Sequence, residues 1–447
     1  MNYETAVRYL LSLGRELAAP TQAAAAKFDL ENISVLAERL GQPQRAYPSA
    51  HIAGTNGKGS TAAFLDSILR CAGLRTGLYT SPHLERINER IRVNGEEIDD
   101  AVFAGVFSRI HTAIEELLAE SKLKVHPTYF ECVTAMAFEH FAQERMDFAI
   151  FEVGLGGRLD ATNILMPNVT MITRIDFDHE NFLGHSLREI AREKAGIIKN
   201  RVPLILAEQK PDARDVVLTR ANELQCPVIE TASAFRVENH SMENECVQAR
   251  VIESDSGWSV KVEPQLKGRF QLQNALTAIA AARVLARNNF EISDAAIRNG
   301  IAAAIWPGRM EKLQSRPDIY LDGAHNPSAA NELAEFLRDH FAGRKIWLIY
   351  GALRDKAVDE VSGLLFPLAH EVILTEPRTT RAISSSQLVD IAGHHAHHFQ
   401  MIPDAEQAFE RVLIGADSDD AIFVTGSLYL VGQLRQYWKS RAQVAVR

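Results

Sequence analysis

The chain has 447 residues, a length that predicts two or three domains, and its 46% hydrophobic and 23% charged residues are typical of a globular protein with a full core. Its formal net charge of −9 argues against non-specific binding to nucleic acid, which requires a basic face, but leaves room for a locally basic pocket. No uncharged apolar run of roughly 18 residues occurs, so no membrane span is expected.

The first 20 residues show a helical pattern that carries Glu4, Arg8, Arg15 and Glu16. They lack the basic start and unbroken apolar run of a signal peptide. The four cysteines are scattered and form no CxxC pair, so we expect reduced thiols rather than disulfides or a zinc site. These features favour a cytoplasmic location for the protein.

Strand-like and helical segments then alternate, as in α/β proteins with a mainly parallel sheet. Residues 226–264 alternate apolar and polar side chains, which predicts an antiparallel ribbon, and 271–288 form an alanine-rich helical pattern. The sequence further predicts strands at 48–53, 76–80, 147–153 and 169–175, and helices at 60–72 and 187–198.

A Pro-Gly pair interrupts this pattern, and we interpret 305–309 as a linker. A second α/β set follows, with strands predicted at 319–322, 345–350, 371–375 and 421–425. The sequence therefore predicts two α/β domains, residues 1–305 and 306–447, with a cleft between them.

A glycine-rich loop after the first predicted strand is the strongest signal in the chain. The segment HIAGTNGKGS, which starts at position 51, contains Gly57, Lys58, Gly59 and Ser60. Glycines let backbone N–H groups converge on phosphate oxygens, the lysine adds charge, the hydroxyl can reach Mg²⁺, and the next helix offers its positive N-terminus. The spacing departs from GxxxxGK[ST], and a turn that merely joins strand to helix is the alternative.

This loop resembles the phosphate loop of the Mur ligase superfamily, and in its full form that of the folylpolyglutamate synthase branch. The resemblance implies a P-loop, Mur-ligase-like central domain and a smaller, Rossmann-like α/β C-terminal domain for glutamate ligation. Further segments match that branch in chain order, namely TSPHL (80–84), FEVGLGGRLDATN (151–163), DHENFLG (178–184), REKAGIIK (192–199), QNAL (273–276), PGRME (307–311), LDGAHNP (321–327) and TGSLYLVG (425–432).

The resemblance also implies an activity. ATP converts a carboxylate into an acyl phosphate, which the amine of L-glutamate then attacks. The expected acceptors are dihydropteroate and the γ-carboxylate of reduced folates, and the expected form is a monomer. Such a reaction depends mainly on positioning and on electrostatic stabilisation.

By the same resemblance, Ser81, Glu152 and His179 bind Mg²⁺, with two ions expected. Glu152 ends an apolar strand, where an acid is costly unless a metal or a cation accompanies it. The alternatives are a salt-bridged strand end for Glu152, a helix cap beside Pro82 for Ser81, and a structural role for His179, since Mg²⁺ prefers oxygen ligands.

The family carries a carbamylated lysine, formed from CO₂, at the position of Lys194. A neutral amine can capture CO₂ and so turn a cation into an anion that supports the metal–phosphate region. Three neighbouring basic side chains make the same helical stretch look solvated when it is read alone. Lys58, Lys194 and His179 are the expected catalytic residues.

Asn274, Arg309 and Asp322 match family positions that contact the nucleotide. Because Arg309 and Asp322 follow the linker, closure of the two domains should complete the ATP site and exclude water. His325 and Ser427 are implied to bind glutamate, with stabilisation of turns as the alternative.

Two segments are implied to hold the pterin. The first offers an aromatic pair that could stack on a flat ring, and the second follows glycines that permit close backbone approach. Burial of the aromatic pair in the core is the alternative. The segments are Thr128, Tyr129, Phe130 and Glu131, and Leu159, Asp160 and Ala161.

Three other functions are weighed against this one. A cell-wall Mur ligase acts on a UDP-linked substrate, but the 53 residues before Gly54 are too few for a UDP-binding domain. A nucleotide-regulated switch protein would explain the loop, but neither His179 nor Lys194. An enzyme that only extends folates with glutamate also fits, although the TYFE and LDA segments resemble those of bifunctional bacterial members.

Overall fold

The computed structural model describes residues 1–14, 29–243 and 245–445. Arg15 and Glu16, in the helical pattern expected at the N-terminus, lie outside the described residues. None of the described helices is long and apolar enough to cross a lipid bilayer. The α-helices are α1 (Tyr3–Ser12), α2 (Glu31–Arg39), α3 (Lys58–Cys71), α4 (Asp100–Ala119), α5 (Tyr129–Gln143), α6 (Glu180–Leu183), α7 (Leu187–Ala195), α8 (Pro211–Glu223), α9 (Thr231–Ala234), α10 (Phe270–Arg287), α11 (Asp294–Ala303), α12 (Pro327–His340), α13 (Val358–Leu365), α14 (Ser385–Ala392), α15 (Ala405–Gly415) and α16 (Leu428–Ala445).

Within the described residues, the strands form three separate sheets, of eight, three and six strands. Short 3-10 helices lie at Pro43–Arg45, Ile87–Arg90, Ala161–Ile164, Phe366–Leu368 and Gly393–His395. The strands are β1 (Ser49–Ala53), β2 (Thr76–Tyr79), β3 (Ile91–Val93), β4 (Glu96–Glu97), β5 (Phe148–Glu152), β6 (Val169–Ile172), β7 (Leu204–Leu206), β8 (Val228–Glu230), β9 (Phe235–Glu243), β10 (Cys246–Glu253), β11 (Ser259–Val262), β12 (Glu311–Gln314), β13 (Asp318–Leu321), β14 (Ile346–Tyr350), β15 (Glu371–Glu376), β16 (Phe399–Asp404) and β17 (Ala421–Thr425).

The central sheet has the order β4-β3-β2-β5-β1-β6-β7-β8, and all its pairs from β2 to β8 are parallel. Side chains of β5 alternate between two cores: Phe148 and Ile150 pack with α3, α10 and α11, while Ala149 and Phe151 pack with α4 and α5. Such burial on both faces explains the nearly unbroken apolar runs in the sequence. The carboxyl ends of β1, β2 and β5 meet at one edge, where ligands of open α/β sheets bind.

The antiparallel ribbon is confirmed for β9, β10 and β11, which pair in that order. The prediction was wrong for residues 226–234, because β8 joins the parallel sheet beside β7 and α9 follows it. Strand β8 lies at the sheet edge with all three residues half-buried. A half-buried edge strand has the same polarity pattern as a hairpin strand, so sequence alone does not separate them.

The C-terminal domain contains the third sheet, in the order β12-β13-β17-β14-β15-β16, with only β12 antiparallel to its neighbour. Its two faces are covered by α12, α13 and α14 on one side and by α15 and α16 on the other. All four strands predicted here are confirmed, whereas β12 and β16 were missed because both are half-exposed edge strands. Residues 304–310, which include the predicted linker, form no regular helix or strand.

Candidate functional site

A cleft of about 520 Å³ separates the carboxyl edge of the central sheet from the C-terminal domain. Both domains contribute to its lining, so the sequence prediction of an interdomain cleft is confirmed. Of the predicted site residues, the cleft is lined by Gly57, Lys58, Gly59, Ser60, Ser81, Glu152, His179, Lys194, Asn274, Arg309, Asp322 and His325. The two pterin segments and Ser427 lie outside this lining.

The glycine-rich loop connects β1 to α3, which begins at Lys58 and therefore two residues before the predicted start. Gly57 has φ of +85°, and a Cβ there would lie 2.2 Å from Oδ1 of Asn274 in α10. A Cβ at Gly54 would lie 1.8 Å from Oγ1 of Thr173. The glycines thus allow backbone N–H groups and two neighbouring segments to crowd around the start of a helix, which is the geometry of a phosphate cradle.

Two lysines converge on this loop. The Nζ atoms of Lys58 and Lys194 lie 3.1 Å and 2.8 Å from the carbonyl oxygen of Gly54. Burial lowers the pKa of Lys58, and burial together with the charge of Lys58 lowers the pKa of Lys194 to about 7. A substantial fraction of Lys194 is therefore the neutral amine near pH 7.

The interpretation of this stretch as a solvated face holds for Arg188 and Arg192, which are exposed, but was wrong for Lys194, which is only 4% exposed. The buried stripe of α7 consists of Ile190, Ala191, Lys194 and Ala195, with helical spacing. Lys194 occupies a core position of that stripe. The spacing to the two preceding apolar residues was the signal that could have shown it.

Glu152 ends β5 inside the cleft and is 4% exposed. Burial raises its pKa, while the charge of Lys58 opposes that rise. Its Oε2 accepts a hydrogen bond from the backbone N–H of Ser81, 3.1 Å away. Ser81 precedes an irregular loop rather than a helix, so its predicted alternative as a helix cap was wrong.

His179 begins the short helix α6 with φ of +52°. Burial lowers its pKa to about 3, so the imidazole is neutral and can offer a nitrogen lone pair to a cation. The adjacent Asp178 also lines the cleft, and the sequence reasoning did not name it as a site residue.

Asp178 connects the central domain to the C-terminal domain. Its carboxylate lies 2.7 Å from Nζ of Lys356 and 3.3 Å from Nδ2 of Asn326. Nε2 of His325 lies 3.6 Å away, too far for a strong hydrogen bond. Lys356 and Asn326 were also missed, although Asn326 lies in the matched segment LDGAHNP.

A second connection joins the phosphate loop itself to the C-terminal domain. Asn56 and Asn326 exchange hydrogen bonds between their amides, at 3.2 Å and 3.0 Å. Asn326 also caps α12, accepting a hydrogen bond from the N–H of Ala329. The conformation of the loop is therefore coupled to the position of α12.

Arg309 and Asp322 face the loop from the C-terminal domain. Asp322 accepts hydrogen bonds from the N–H groups of Met310 and Ala324, both at 2.9 Å, and burial raises its pKa. Arg309 lies so close to Gly323 that a Cβ there would be 2.6 Å from the guanidinium. A cation and a carboxylate are thus held side by side opposite the loop.

The two residues predicted to bind glutamate make local hydrogen bonds. Nδ1 of His325 lies 2.7 Å from the carbonyl oxygen of Gly323. Oγ of Ser427 accepts a hydrogen bond from the N–H of Leu430 in the first turn of α16. Both therefore stabilise turns, and His325 also lines the cleft.

The two predicted pterin segments, remote in sequence, meet at Gly154. A Cβ at Gly154 would lie 2.4 Å from Cζ of Phe130, and Oδ2 of Asp160 accepts the N–H groups of Gly154 and Leu155. Tyr129 is buried in the core, whereas Phe130 is half-buried. The remaining residues of the two segments have structural positions. Thr128 and Glu131 form the capping box of α5, Leu159 is half-buried and Ala161 is buried.

Known proteins share these features. Residues 52–282 match the Mur ligase middle domain, and residues 308–428 match the Mur ligase glutamate ligase domain. The dihydrofolate synthase/folylpolyglutamate synthase of Bacillus subtilis is 36% identical over 422 residues, which cover 92% of this chain and 95% of that protein.

Solved structures agree with this match. Escherichia coli FolC in complex with DHPP and ADP has a TM-score of 0.85 and 31% identity, with 98% of each chain covered. Mycobacterium tuberculosis folylpolyglutamate synthase complexed with ADP has a TM-score of 0.87 and 30% identity, again with 98% of each chain covered. The chain belongs to the dihydrofolate synthase/folylpolyglutamate synthase branch of the Mur ligase family.

Proposed function

We propose that the protein uses ATP to join L-glutamate to dihydropteroate and to the γ-carboxylate of reduced folates through an acyl phosphate. The observation that carries this proposal is the convergence of Lys58, Lys194 and Glu152 beside a phosphate-type loop in an interdomain cleft. The similar E. coli protein was solved with DHPP and ADP, which supports a pterin acid and ATP as the substrates.

The reaction depends more on the stabilisation of charge than on covalent catalysis by the enzyme. The acceptor carboxylate attacks the γ-phosphorus of ATP and ADP leaves. The glutamate amine then attacks the acyl carbon, the C–N bond forms as the bond to phosphate oxygen breaks, and the amine loses a proton. Lys58 and the N–H groups of Gly57, Gly59 and Ser60 would hold the phosphates during both displacements.

Nucleotide binding would be completed across the cleft. Asn274 touches the loop, while Arg309 meets phosphate charge and Asp322 accepts ribose hydroxyls. We place the domain division at residues 1–305 and 306–447, so that closure brings the last two residues to ATP and excludes water. Because one chain supplies both sides of the cleft, we propose a monomer as the active form.

We propose that Ser81, Glu152 and His179 hold Mg²⁺, with two ions in the working enzyme. The residues fit a cation: Glu152 is a buried carboxylate with few partners, and His179 is neutral. Mg²⁺ bound there would neutralise phosphate charge during transfer. Glu152 orients this region through its hydrogen bond to the backbone of Ser81.

Replacing Glu152 by glutamine is expected to lower kcat about 10²-fold, a cost of about 3 kcal/mol, because the charge that balances metal and lysine is lost. The concentration of Mg²⁺ needed for half-maximal rate should rise. Steady-state rates over a Mg²⁺ series would measure both effects. An unchanged Mg²⁺ requirement would contradict the metal role of Glu152.

We further propose that Lys194 reacts with CO₂ to form a carbamate. The lowered pKa supplies the neutral amine that this reaction needs, and Lys58 beside it would pair with the anion formed. The conversion changes two neighbouring cations into an ion pair, which removes the repulsion between them.

Activity is therefore expected to depend on CO₂. Enzyme kept free of CO₂ should lose most activity at every pH, and bicarbonate should restore it best above about pH 7, where Lys194 is the neutral amine that reacts with CO₂. Lys194→Ala should be inactive and insensitive to bicarbonate, while a short carboxylic acid restores part of the rate. Equal activity with and without CO₂ at every pH would exclude a catalytic carbamate.

The pterin would lie near Gly154, where Phe130 offers a ring face and Asp160 fixes the loop. The other members of the two segments, Thr128, Tyr129, Glu131, Leu159 and Ala161, would shape this pocket from behind. We propose that His325 and Ser427 assist glutamate binding from the C-terminal domain.

The test is phosphate release from ATP and Mg²⁺ with L-glutamate, using dihydropteroate, a reduced folate or no acceptor. Release with both acceptors, matched by products one glutamate heavier, is expected. Release with the reduced folate alone would restrict the enzyme to polyglutamylation. Release with neither acceptor would indicate a Mur-type ligase acting on another acid.

A further inference from the structure

We propose that Asp359, His394 and His395 bind a divalent transition-metal ion such as Zn²⁺ on the C-terminal domain. One ligand atom from each residue lies within 4.8 Å of the other two. None of the three lines the catalytic cleft. The site is therefore separate from the proposed Mg²⁺ position and independent of the proposed function.

The donor atoms are close enough to share one ion once the hydrogen bond between Nε2 of His395 and Oδ1 of Asp359 opens. Nε2 of His395 lies 2.9 Å from Oδ1 of Asp359, and Nε2 of His394 lies 3.8 Å from the same oxygen. The two imidazole centroids are 3.8 Å apart. A tetrahedral ion with bonds of about 2.0–2.1 Å spaces its ligand atoms about 3.4 Å apart, within reach of small side-chain rotations here.

The local fold brings these three side chains close together. Asp359 lies in the first turn of α13, and the two histidines end the 3-10 helix that follows α14. The His395 ring lies against α13 at Gly363, where a Cβ would be 3.4 Å from its Cε1. His395 is thus a positioned ligand, with a side chain 25% exposed.

The other two ligands remain open to water. The side chains of Asp359 and His394 are 64% and 63% exposed. They can adjust around an ion, and water can fill the remaining coordination positions. Exposure of this kind predicts reversible binding rather than a closed structural site.

The donor set selects the class of ion. Two imidazoles and one carboxylate suit Zn²⁺, Ni²⁺ and Cu²⁺ better than Mg²⁺, which prefers an octahedron made mainly of oxygen ligands. Bound metal would tie α13 to the end of α14 and stabilise the folded state by mass action. Helix α13 begins two residues after Lys356, whose carbonyl accepts the N–H of Val358, so the tie acts on the segment that carries Lys356 to Asp178.

The test is calorimetric titration of untagged, metal-stripped protein with zinc chloride in a large excess of Mg²⁺. Wild type should show a binding class that is at least about tenfold weaker in His395→Gln and in Asp359→Asn. Zn²⁺ should also raise the Tm of wild type and have a smaller effect on both variants. His397→Gln and His398→Gln, in the same histidine-rich segment, serve as matched controls and should bind like wild type.

Equal weakening in the two control variants would assign Zn²⁺ to the histidine-rich segment in general and overturn the site. Undiminished binding in both His395→Gln and Asp359→Asn would overturn it as well. Melting curves without metal show whether each variant folds, and Asp359→Asn, at an exposed position, carries the test if His395→Gln does not.

Discussion

Replacing Lys58 by alanine is expected to lower kcat/KM on the order of 10³-fold, the largest loss for any single side chain in the cleft. Lys58 is half-buried, and its ammonium is held by the carbonyl oxygens of Gly54 and Thr55 at 3.1 Å each. It is therefore already positioned before phosphate arrives and needs no reorganisation. Burial lowers its pKa. A bound polyphosphate would oppose this shift and strongly favour the charged form.

Steady-state phosphate release and a nucleotide titration would measure the loss in rate and in ATP affinity. Lys345→Ala is the matched control, because that ammonium pairs with Asp417 on the surface at 3.5 Å and lies far from the loop in the sequence. The control should retain wild-type rates, since exposed pairs contribute little. Near-normal activity of the Lys58 variant would contradict the assignment of the phosphate loop.

The loop could be predicted because its information is local. Its glycines, lysine and serine lie within seven consecutive positions, and the strand before it is buried on all five residues. The contacts that require the glycines come from distant parts of the chain, at Thr173, Asn274 and Trp306. Strands β5 and β17 could be predicted for the same reason, because their short apolar runs are typical of strands that are buried on both faces. Edge strands such as β12 and β16 carry no such constraint, and they were missed.

The family resemblance pointed to Lys194 as a site residue, but the charge pattern of its helix did not predict its burial. A basic residue in a basic helix normally faces water. Only the packing of α7 against the loop places Lys194 beside Gly54 and converts an ordinary lysine into a group with a pKa of about 7. Such a shift arises from tertiary structure, so no sequence window contains it.

The division of the site between two domains explains why its other cations and carboxylates were hard to find. Asp178 and Lys356 are separated by 178 positions in the chain and meet only when the cleft is formed. An acyl phosphate is easily hydrolysed, so a ligase that forms one gains from this arrangement. Closure of the two domains brings the remaining site residues into place and excludes water at the same time. The contacts across the cleft therefore control the chemistry as well as the fold.

Lys356→Met is accordingly expected to cost about 3–5 kcal/mol in the interdomain contact, because it leaves the carboxylate of Asp178 buried without its cation. The side chains of Lys356 and Asp178 are only 7% and 12% exposed. We expect a weakened hold of α12 on the phosphate loop, seen as a higher KM for ATP and a lower kcat. Asp178→Asn should act in the same direction, and Lys356→Arg should restore part of the rate.

A double-mutant cycle separates the pair from general destabilisation. If the two side chains act through each other, the double variant Asp178→Asn/Lys356→Met should lose much less than the sum of the single losses, in KM for ATP and in free energy of unfolding. Strict additivity would show that they act independently and would refute the coupling.

The pH dependence of stability gives the same pair a second, independent signature. Burial alone would raise the pKa of Asp178, but His325, Lys356 and His179 outweigh it and hold the pKa well below the ordinary value. Because the folded-state pKa is depressed, the contribution of the pair is complete above the unfolded value of about 3.9 and is lost as pH falls through the lower folded value. The gap in unfolding free energy between wild type and Asp178→Asn should therefore be constant near neutrality and shrink only in acid. A gap that instead closed roughly between pH 6 and 8, well above the ordinary range of carboxylates, would contradict the assignment of this stability difference to the charge of Asp178.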